Sequence, residues 1–174
     1  MSENNISFYI KNKSKVNQLV SLKYEFKKHI IAEVEKAGHG IDNVKLAFSN
    51  YKPNNDRLRH YESTRNPELV YTIVFEDLLK DRNRLHIIVE PRGKVLKEGT
   101  VFKNVEFNKE ENQILQESFY SKTNEGWAHF ASKWYDLNTT DIADLGAFIQ
   151  YKIKEDHFES IMDKLEKHLL NRTP

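Results

Sequence analysis

The chain has 174 residues, no cysteine, and 27 lysine and arginine side chains against 26 aspartates and glutamates. This length is typical of one domain with one core, and the absence of cysteine excludes disulfides, thiolate metal sites and cysteine nucleophiles. The near-zero net charge provides no overall field that would attract polyanions. No apolar stretch is long enough for a signal peptide or a membrane span, so we expect one cytoplasmic domain, residues 1–174.

The N-terminal region is predicted to form a long amphipathic helix from Ser14 to Ala37. Its apolar residues recur at helical spacing on one side, and two glycines follow as a stop signal. Lys23 and Lys27 project into this apolar stripe, where a charge is costly to bury unless it is paired or reaches water. Either the helix lies partly open, or it meets a partner such as a second copy of the chain.

The middle of the chain contains two β-branched, apolar runs that are predicted to pair as an antiparallel hairpin. They are LVYTIVFE at 69–76 and LHIIVEP at 85–91, joined by a polar connector. The preceding segment, from His39 to Pro67, is predicted to hold an edge strand at 44–48 followed by a long surface loop. Its prolines, asparagines and charges favour turns and oppose burial.

After the hairpin the pattern predicts mixed structure. A short strand is expected at 101–107 and a helix at 109–122, because apolar residues of the latter recur at helical spacing. The run GWAHFASKWYDL at 126–137 alternates in the manner of a strand. It is therefore predicted to be the third main strand of the sheet.

Two helices are predicted at the C-terminal end. Asn138 is placed to cap the first helix, and Asp156 with Glu159 forms the acidic version of a capping box for the second. Strands and helices are segregated along the chain, which favours an α+β fold. The predicted architecture is a central, mainly antiparallel sheet of three to five strands, with the long N-terminal helix and the two C-terminal helices beside it.

A candidate metal site is outlined by Asp77 and, after the next strand, by Glu90, Pro91 and Arg92. A D…ExK site holds Mg²⁺ between an aspartate and a strand-end glutamate, beside a lysine. Arg92 occupies the lysine position although a guanidinium cannot accept a proton, and Pro91 interrupts the strand. We therefore favour an exposed strand rim at Glu90 and Arg92, and a diverged metal-dependent nuclease with Mg²⁺ is the alternative.

The histidines do not indicate a zinc site, because no HExxH motif and no HxxxH pair on one helical face is present. They are His29, His39, His60, His86, His129, His157 and His168. His86 and His129 fall in predicted strands, where they would either meet as an acid–base pair or pack and donate to carbonyls. Without a glycine-rich phosphate loop or a GxSxG elbow, the sequence assigns no catalytic residue, no metal and no cofactor.

Basic and aromatic residues cluster outside the predicted core and form the candidate binding site. They are Tyr51, Arg57, Arg59, His60, Tyr61, Arg65, Arg82 and Arg84. Such residues contact phosphates and stack on bases, although interleaved acidic residues are equally typical of a solvated loop. The first hypothesis is a non-enzymatic protein that binds nucleic acid or another protein through these residues. A structural, homo-oligomerising subunit is a further alternative.

Between residues 69 and 170 four segments follow one another: LVYTIVFED, LHIIVEP, GWAHFASKWYDL and FESIMDKLEKHL. This arrangement resembles regions downstream of the nuclease core in some bacterial PD-(D/E)xK-type proteins. The residues before 69 show no nuclease core, so the resemblance does not carry nuclease activity to this chain. It implies instead an accessory or regulatory protein of a bacterial or phage DNA-conflict system, for defence or anti-defence.

Overall fold

A computed structural model describes residues 3–46, 56–97, 99–121 and 128–171. The helices are α1 (Glu3–His39), α2 (Gly93–Lys97), α3 (Lys109–Asn112), α4 (Thr139–Ala143), α5 (Leu145–Glu155) and α6 (Phe158–Leu170). The strands are β1 (Val44–Leu46), β2 (Leu58–Ser63), β3 (Leu69–Val74), β4 (Arg84–Pro91) and β5 (Ala131–Asp136). The α+β class is confirmed, with the long N-terminal helix, the antiparallel sheet and two C-terminal helices, α5 and α6.

The strands form a meander in the order β1-β2-β3-β4-β5, and each neighbouring pair is antiparallel. The predicted hairpin is confirmed as β3 and β4, in which Leu69 lies opposite Pro91 and Val74 lies opposite His86. The predicted edge strand is confirmed as β1. The third main strand is confirmed as β5, which is shorter than predicted, and residues 126 and 127 lie outside the described residues.

Alternating side chains divide the sheet into a core face and a second face. On the core face, Tyr61, Tyr71, Val89 and Ala131 lie side by side across β2, β3, β4 and β5, and all four are buried. This face packs against buried apolar residues of α1, α5 and α6. The second face presents the intervening residues of the same strands.

The C-terminal turns of α1 are anchored to β2. Ile30, Val34 and Ala37 are fully buried against the core face. The Tyr61 hydroxyl donates a hydrogen bond to the Val34 carbonyl at 2.6 Å. The ring of Tyr61 lies so close to Gly38 that a Cβ at residue 38 would overlap it. Helix and strand can approach this closely because residue 38 has no side chain.

The prediction of a long surface loop before residue 67 is wrong, because the segment contains β2. Arg59 and Tyr61, both placed in the predicted loop, are buried. The Arg59 guanidinium reaches Glu35 of α1, with Nε 2.9 Å from Oε1, and lies over the ring of Phe75. A charged side chain can be buried when it is paired, so its charge did not exclude the segment from the sheet.

The predictions for 101–107 and 109–122 are also wrong. A 3-10 helix, Gly99–Asn104, replaces the expected strand, and α3 ends after one turn. The chain then extends, so that Leu115 forms a bridge to Ala131, and a further 3-10 helix follows at Glu117–Ser121. Aromatic packing around a buried phenylalanine cluster, which no local periodicity records, sets this path.

The helix termini differ from the sequence expectations in two places. α1 begins at Glu3 rather than Ser14, because no helix-breaking residue separates the two positions. The Asp156 capping box is absent: the Asp156 carboxylate instead accepts from Lys133 at 2.5 Å and from the Tyr135 hydroxyl at 2.7 Å. The Asn138 cap is confirmed, since its side chain accepts from the next turn of α4.

None of the helices in the described part of the chain is both long enough and apolar enough to cross a membrane. α1 has sufficient length, since 37 residues at the α-helical rise extend about 55 Å, but lysines interrupt it throughout.

The contact between Gly38 and Tyr61 predicts an unusual effect of a glycine-to-alanine change within a helix. Gly38→Ala should lower the free energy of unfolding by about 1–3 kcal/mol, because the new methyl group overlaps the Tyr61 ring. Alanine normally stabilises a helix interior relative to glycine. Urea unfolding followed by circular dichroism measures the effect, with Ser21→Ala at an exposed position of α1 as the control. A Gly38→Ala protein as stable as the wild type would contradict the packing described.

Candidate binding surfaces

The N-terminal two thirds of α1 carry large apolar side chains that nothing in the described structure covers. We call residues 5–26 the stalk; all of them are described, and none is buried. The exposed large apolar residues are Ile6, Phe8, Tyr9, Ile10, Leu19, Val20, Leu22, Tyr24 and Phe26. Large apolar side chains left exposed in such number are typical of an interaction site.

The stalk continues the face of α1 that is buried further along the helix. Tyr9, Val16, Lys23 and Ile30 succeed one another at intervals of seven residues. Asn12, Leu19 and Phe26 form a second row, each three residues after a member of the first row. The two rows together have the spacing of the a and d positions of a coiled-coil heptad. We call the members of these two rows that precede Ile30 the stripe. Because Ile30 packs on the sheet, the stripe is the same helix face, available to a second helix.

A groove of about 480 Å³ lies where the stalk meets the body of the protein. It is lined by Val20, Lys23, Tyr24, Phe26 and Lys27 of α1, and by Asp56, Arg57, Glu76, Leu79 and Lys80 from the turns at the ends of β2 and β3. Lys27 Nζ donates to Asp56 Oδ2 at 2.6 Å. Lys23 makes no hydrogen bond or ion pair with the described residues. Lys23 is therefore exposed, whereas Lys27 is partly covered and has a counterion.

Three residues of the predicted binding cluster are committed to contacts within the fold. Arg59 and Tyr61 are buried against α1. His60 faces the second face of the sheet, with Nδ1 2.8 Å from Thr72 Oγ1. None of these three lies on a solvated loop, contrary to the position assumed for them.

The remaining basic residues of that cluster are divided between the two ends of the sheet. Arg57, Arg82 and Arg84 lie at one end, where Arg57 pairs with a glutamate and Arg84 with an aspartate. Arg65 lies at the other end, with Nη1 3.0 Å from Glu166 Oε2. Tyr51 lies outside the described residues. The structure therefore does not bring the predicted cluster together as one basic surface.

A connected polar network, which we call the sheet-face cluster, crosses the second face of the sheet. Its members are His60, Thr72, His86, Glu90, Arg92 and His129. Arg92 Nη2 lies 2.5 Å from Glu90 Oε2 and 3.0 Å from His60 Nδ1. The other Glu90 oxygen is 3.5 Å from His129 Nε2. The rings of His86 and His129 meet edge to face at 5.7 Å, so these two histidines do come together.

Glu90 and Arg92 are not the exposed strand rim that we favoured from the sequence. Each is only 4% exposed, because they lie on the second face as a mutually paired carboxylate and guanidinium. Pro91 continues β4 at the position opposite Leu69. A buried pair of this kind costs desolvation energy that apolar residues would avoid, which makes the sheet-face cluster a notable departure from the apolar core face.

Burial changes the protonation of two histidines in the sheet-face cluster. Burial and the neighbouring Arg92 charge lower the pKa of His60 to about 4. Burial, with His129 and Arg84 nearby, lowers the pKa of His86 to about 4 as well. Both imidazoles are therefore neutral near pH 7. His86 also stacks on the half-exposed Trp134, at 4.1 Å between ring centroids, a contact that the sequence reasoning missed because strand register decides it.

Asp77 and Glu90 lie at opposite ends of the β3–β4 hairpin. Glu90 pairs with Val70, whereas Asp77 follows the far end of β3 in a 3-10 turn. The four residue-to-residue steps of strand from Val70 to Val74 alone extend about 13 Å. No group of three or more histidine, aspartate or glutamate residues in the described segments is arranged to hold a metal ion.

Comparisons with protein-family models, with curated proteins and with solved structures give no match to this chain. The resemblance of residues 69–170 to regions of PD-(D/E)xK-type proteins stays a prediction.

The lowered pKa values of His60 and His86 predict an acid-sensitive fold. Near pH 5 the unfolded chain protonates both histidines, whose ordinary pKa is about 6.5, whereas the folded chain does not. Stability should therefore be complete above about pH 6.5 and decline as the pH falls toward 4. Urea unfolding at several values between pH 7 and 5 measures the slope. His86→Phe should flatten it, whereas His39→Gln, at an exposed position, should leave it unchanged.

The buried pair predicts different effects of two carboxylate substitutions. Glu90→Gln should lower the free energy of unfolding by about 3 kcal/mol, because it leaves the Arg92 charge buried without its counterion. Asp77→Asn, in a turn, should change it by less than about 0.5 kcal/mol. Thermal and urea unfolding of both variants make the comparison. Equal effects of the two changes would show that Glu90 is not held in the described pair.

Proposed function

We propose that this chain is a non-enzymatic accessory or regulatory protein that binds a partner protein, and that the stripe on its stalk docks against a helix of that partner. The exposure of Tyr9, Leu19 and Phe26 along the stripe carries the proposal. Burying apolar surface stabilises by about 25 cal/mol per Å². A helix without packing is marginal in water, so a second helix would stabilise the stalk and cover its apolar face.

The charge of the stalk favours a different, acidic protein over a second copy of the chain. Residues 5–26 contain four lysines and one glutamate, a net charge of +3. Two copies packed along their stalks would bring like charges together in either orientation. An acidic amphipathic helix would instead meet the lysines with opposite charge, which favours correct encounter and suppresses wrong pairings.

The other functions considered from the sequence have less support. Binding of nucleic acid through the predicted cluster would use Arg59 and Arg65, which are already paired within the fold. The nuclease alternative requires Asp77 and Glu90 to converge on Mg²⁺, and no contact between them supports it. Participation in a bacterial or phage DNA-conflict system remains a proposal that depends on the resemblance alone.

Replacing two exposed residues of the stripe should abolish helix docking without harming the fold. The probe is a synthetic helix of about four heptads with leucine at its a and d positions and glutamate at e and g. Tyr9→Ser with Leu19→Ser should weaken binding of this peptide at least about tenfold, measured by fluorescence anisotropy. Unfolding curves should stay unchanged, because both side chains are exposed.

The matched control is Ile6→Ser with Ile10→Ser, two exposed apolar residues outside both the stripe and the groove. This variant should bind the peptide nearly as well as the wild type. Size-exclusion chromatography with light scattering, without peptide, should find a monomer. If the wild type is a dimer and the Tyr9→Ser, Leu19→Ser variant is a monomer, the stripe binds a second copy of the chain. If both double variants weaken peptide binding equally, the stripe is not the docking site.

A further inference from the structure

The groove at the base of the stalk contains one cation for which the described residues supply no anion. Lys27 is paired with Asp56, and Arg57 and Lys80 both pair with Glu76. Those two carboxylates are therefore already engaged, and Lys23 is left without one. Four cations and two anions line the groove, so its net charge is +2.

The surroundings of Lys23 are otherwise apolar. Val20, Phe26 and Leu79 line the same groove. Lys23 belongs to the row of the stripe that leads to Ile30, seven residues before it. A helix docked on the stripe would therefore cover Lys23 and remove water from its ammonium group. An ammonium buried without a counterion is strongly unfavourable, so a partner that covers this position must bring an anion with it.

We propose that the partner helix places an aspartate or glutamate side chain in this groove, where its carboxylate pairs with Lys23. This inference rests on the proposed function, because the carboxylate arrives on the docked helix. Apolar side chains on either side of the carboxylate pack on Val20, Phe26 and Leu79. A volume of about 480 Å³ is large enough for the acidic side chain together with these neighbours.

This contact would select the partner and set its register. A lone polar residue in an otherwise apolar heptad position specifies how two helices align, at some cost in affinity. A partner with leucine or lysine opposite Lys23 would bury an uncompensated charge and be rejected. A single available ammonium group also favours a carboxylate over a phosphate group, which is usually held by several converging donors.

A charge-reversal cycle tests the inference. The probes are versions of the leucine and glutamate peptide described above, each with glutamate in place of one of the a-position leucines. The version that binds most tightly is the glutamate peptide, and the lysine peptide carries lysine in place of that glutamate. Fluorescence anisotropy measures both peptides against wild type and Lys23→Glu. Lys23→Glu should weaken binding of the glutamate peptide at least about tenfold and should restore binding of the lysine peptide to a similar degree.

The matched control is Lys28→Glu, which makes the same charge change on α1 outside the stripe, where Lys28 lies over the Tyr24 ring. It should change the affinity of both peptides only slightly. Equal weakening by Lys23→Glu and Lys28→Glu would overturn the inference, because it would indicate long-range attraction alone. The inference would also be overturned if the Lys23→Met variant bound the glutamate peptide more tightly than the wild type does.

The failure of this inference is distinguishable from the failure of the proposed function. If Tyr9→Ser with Leu19→Ser abolishes peptide binding but Lys23→Glu leaves it unchanged, the stripe docks a helix and only the role of Lys23 is rejected. If the stripe variant binds as the wild type does, helix docking on the stalk is itself rejected.

Discussion

The packing of the last turns of α1 against Tyr61 and against α5 holds the long helix to the body of the protein, and the exposure of the stalk follows from it. The Tyr61 hydroxyl bonds the Val34 carbonyl, and its ring occupies the space beside Gly38. Ile30 and Ala37 complete the contact. Because α1 is attached to the sheet near one end only, the rest of its length projects with its apolar face uncovered.

One helix face therefore has two environments. At Ile30 it is buried against the sheet, and from Phe26 toward the N-terminus it is exposed. The groove that contains Lys23 lies at the transition between the two. A partner helix that followed the stripe would meet the body of the protein at this groove, where contacts with Lys23 and its neighbours would select one partner over another.

The two faces of the sheet use different physical means to exclude water. The core face is largely apolar and holds Arg59 paired with Glu35 of α1, whereas the second face buries Glu90 and Arg92 as a pair and keeps His60 and His86 neutral. Such an arrangement depends on each buried charge finding its counterion, since a buried charge left alone is costly. This dependence is the reason to expect acid sensitivity and a large effect of Glu90→Gln.

The sequence by itself determined the elements whose signal is local: the apolar runs of β3 and β4, the helical spacing of α5 and α6, and the Asn138 cap. It did not reveal β2, because burial of Arg59 depends on Glu35, which lies on another element. The sequence identified Lys23 and Lys27 as charges in an apolar helix face, but it did not show which of the two has a counterion. Only the tertiary structure decided that, and with it which part of α1 is covered, because both depend on contacts between residues far apart in the chain.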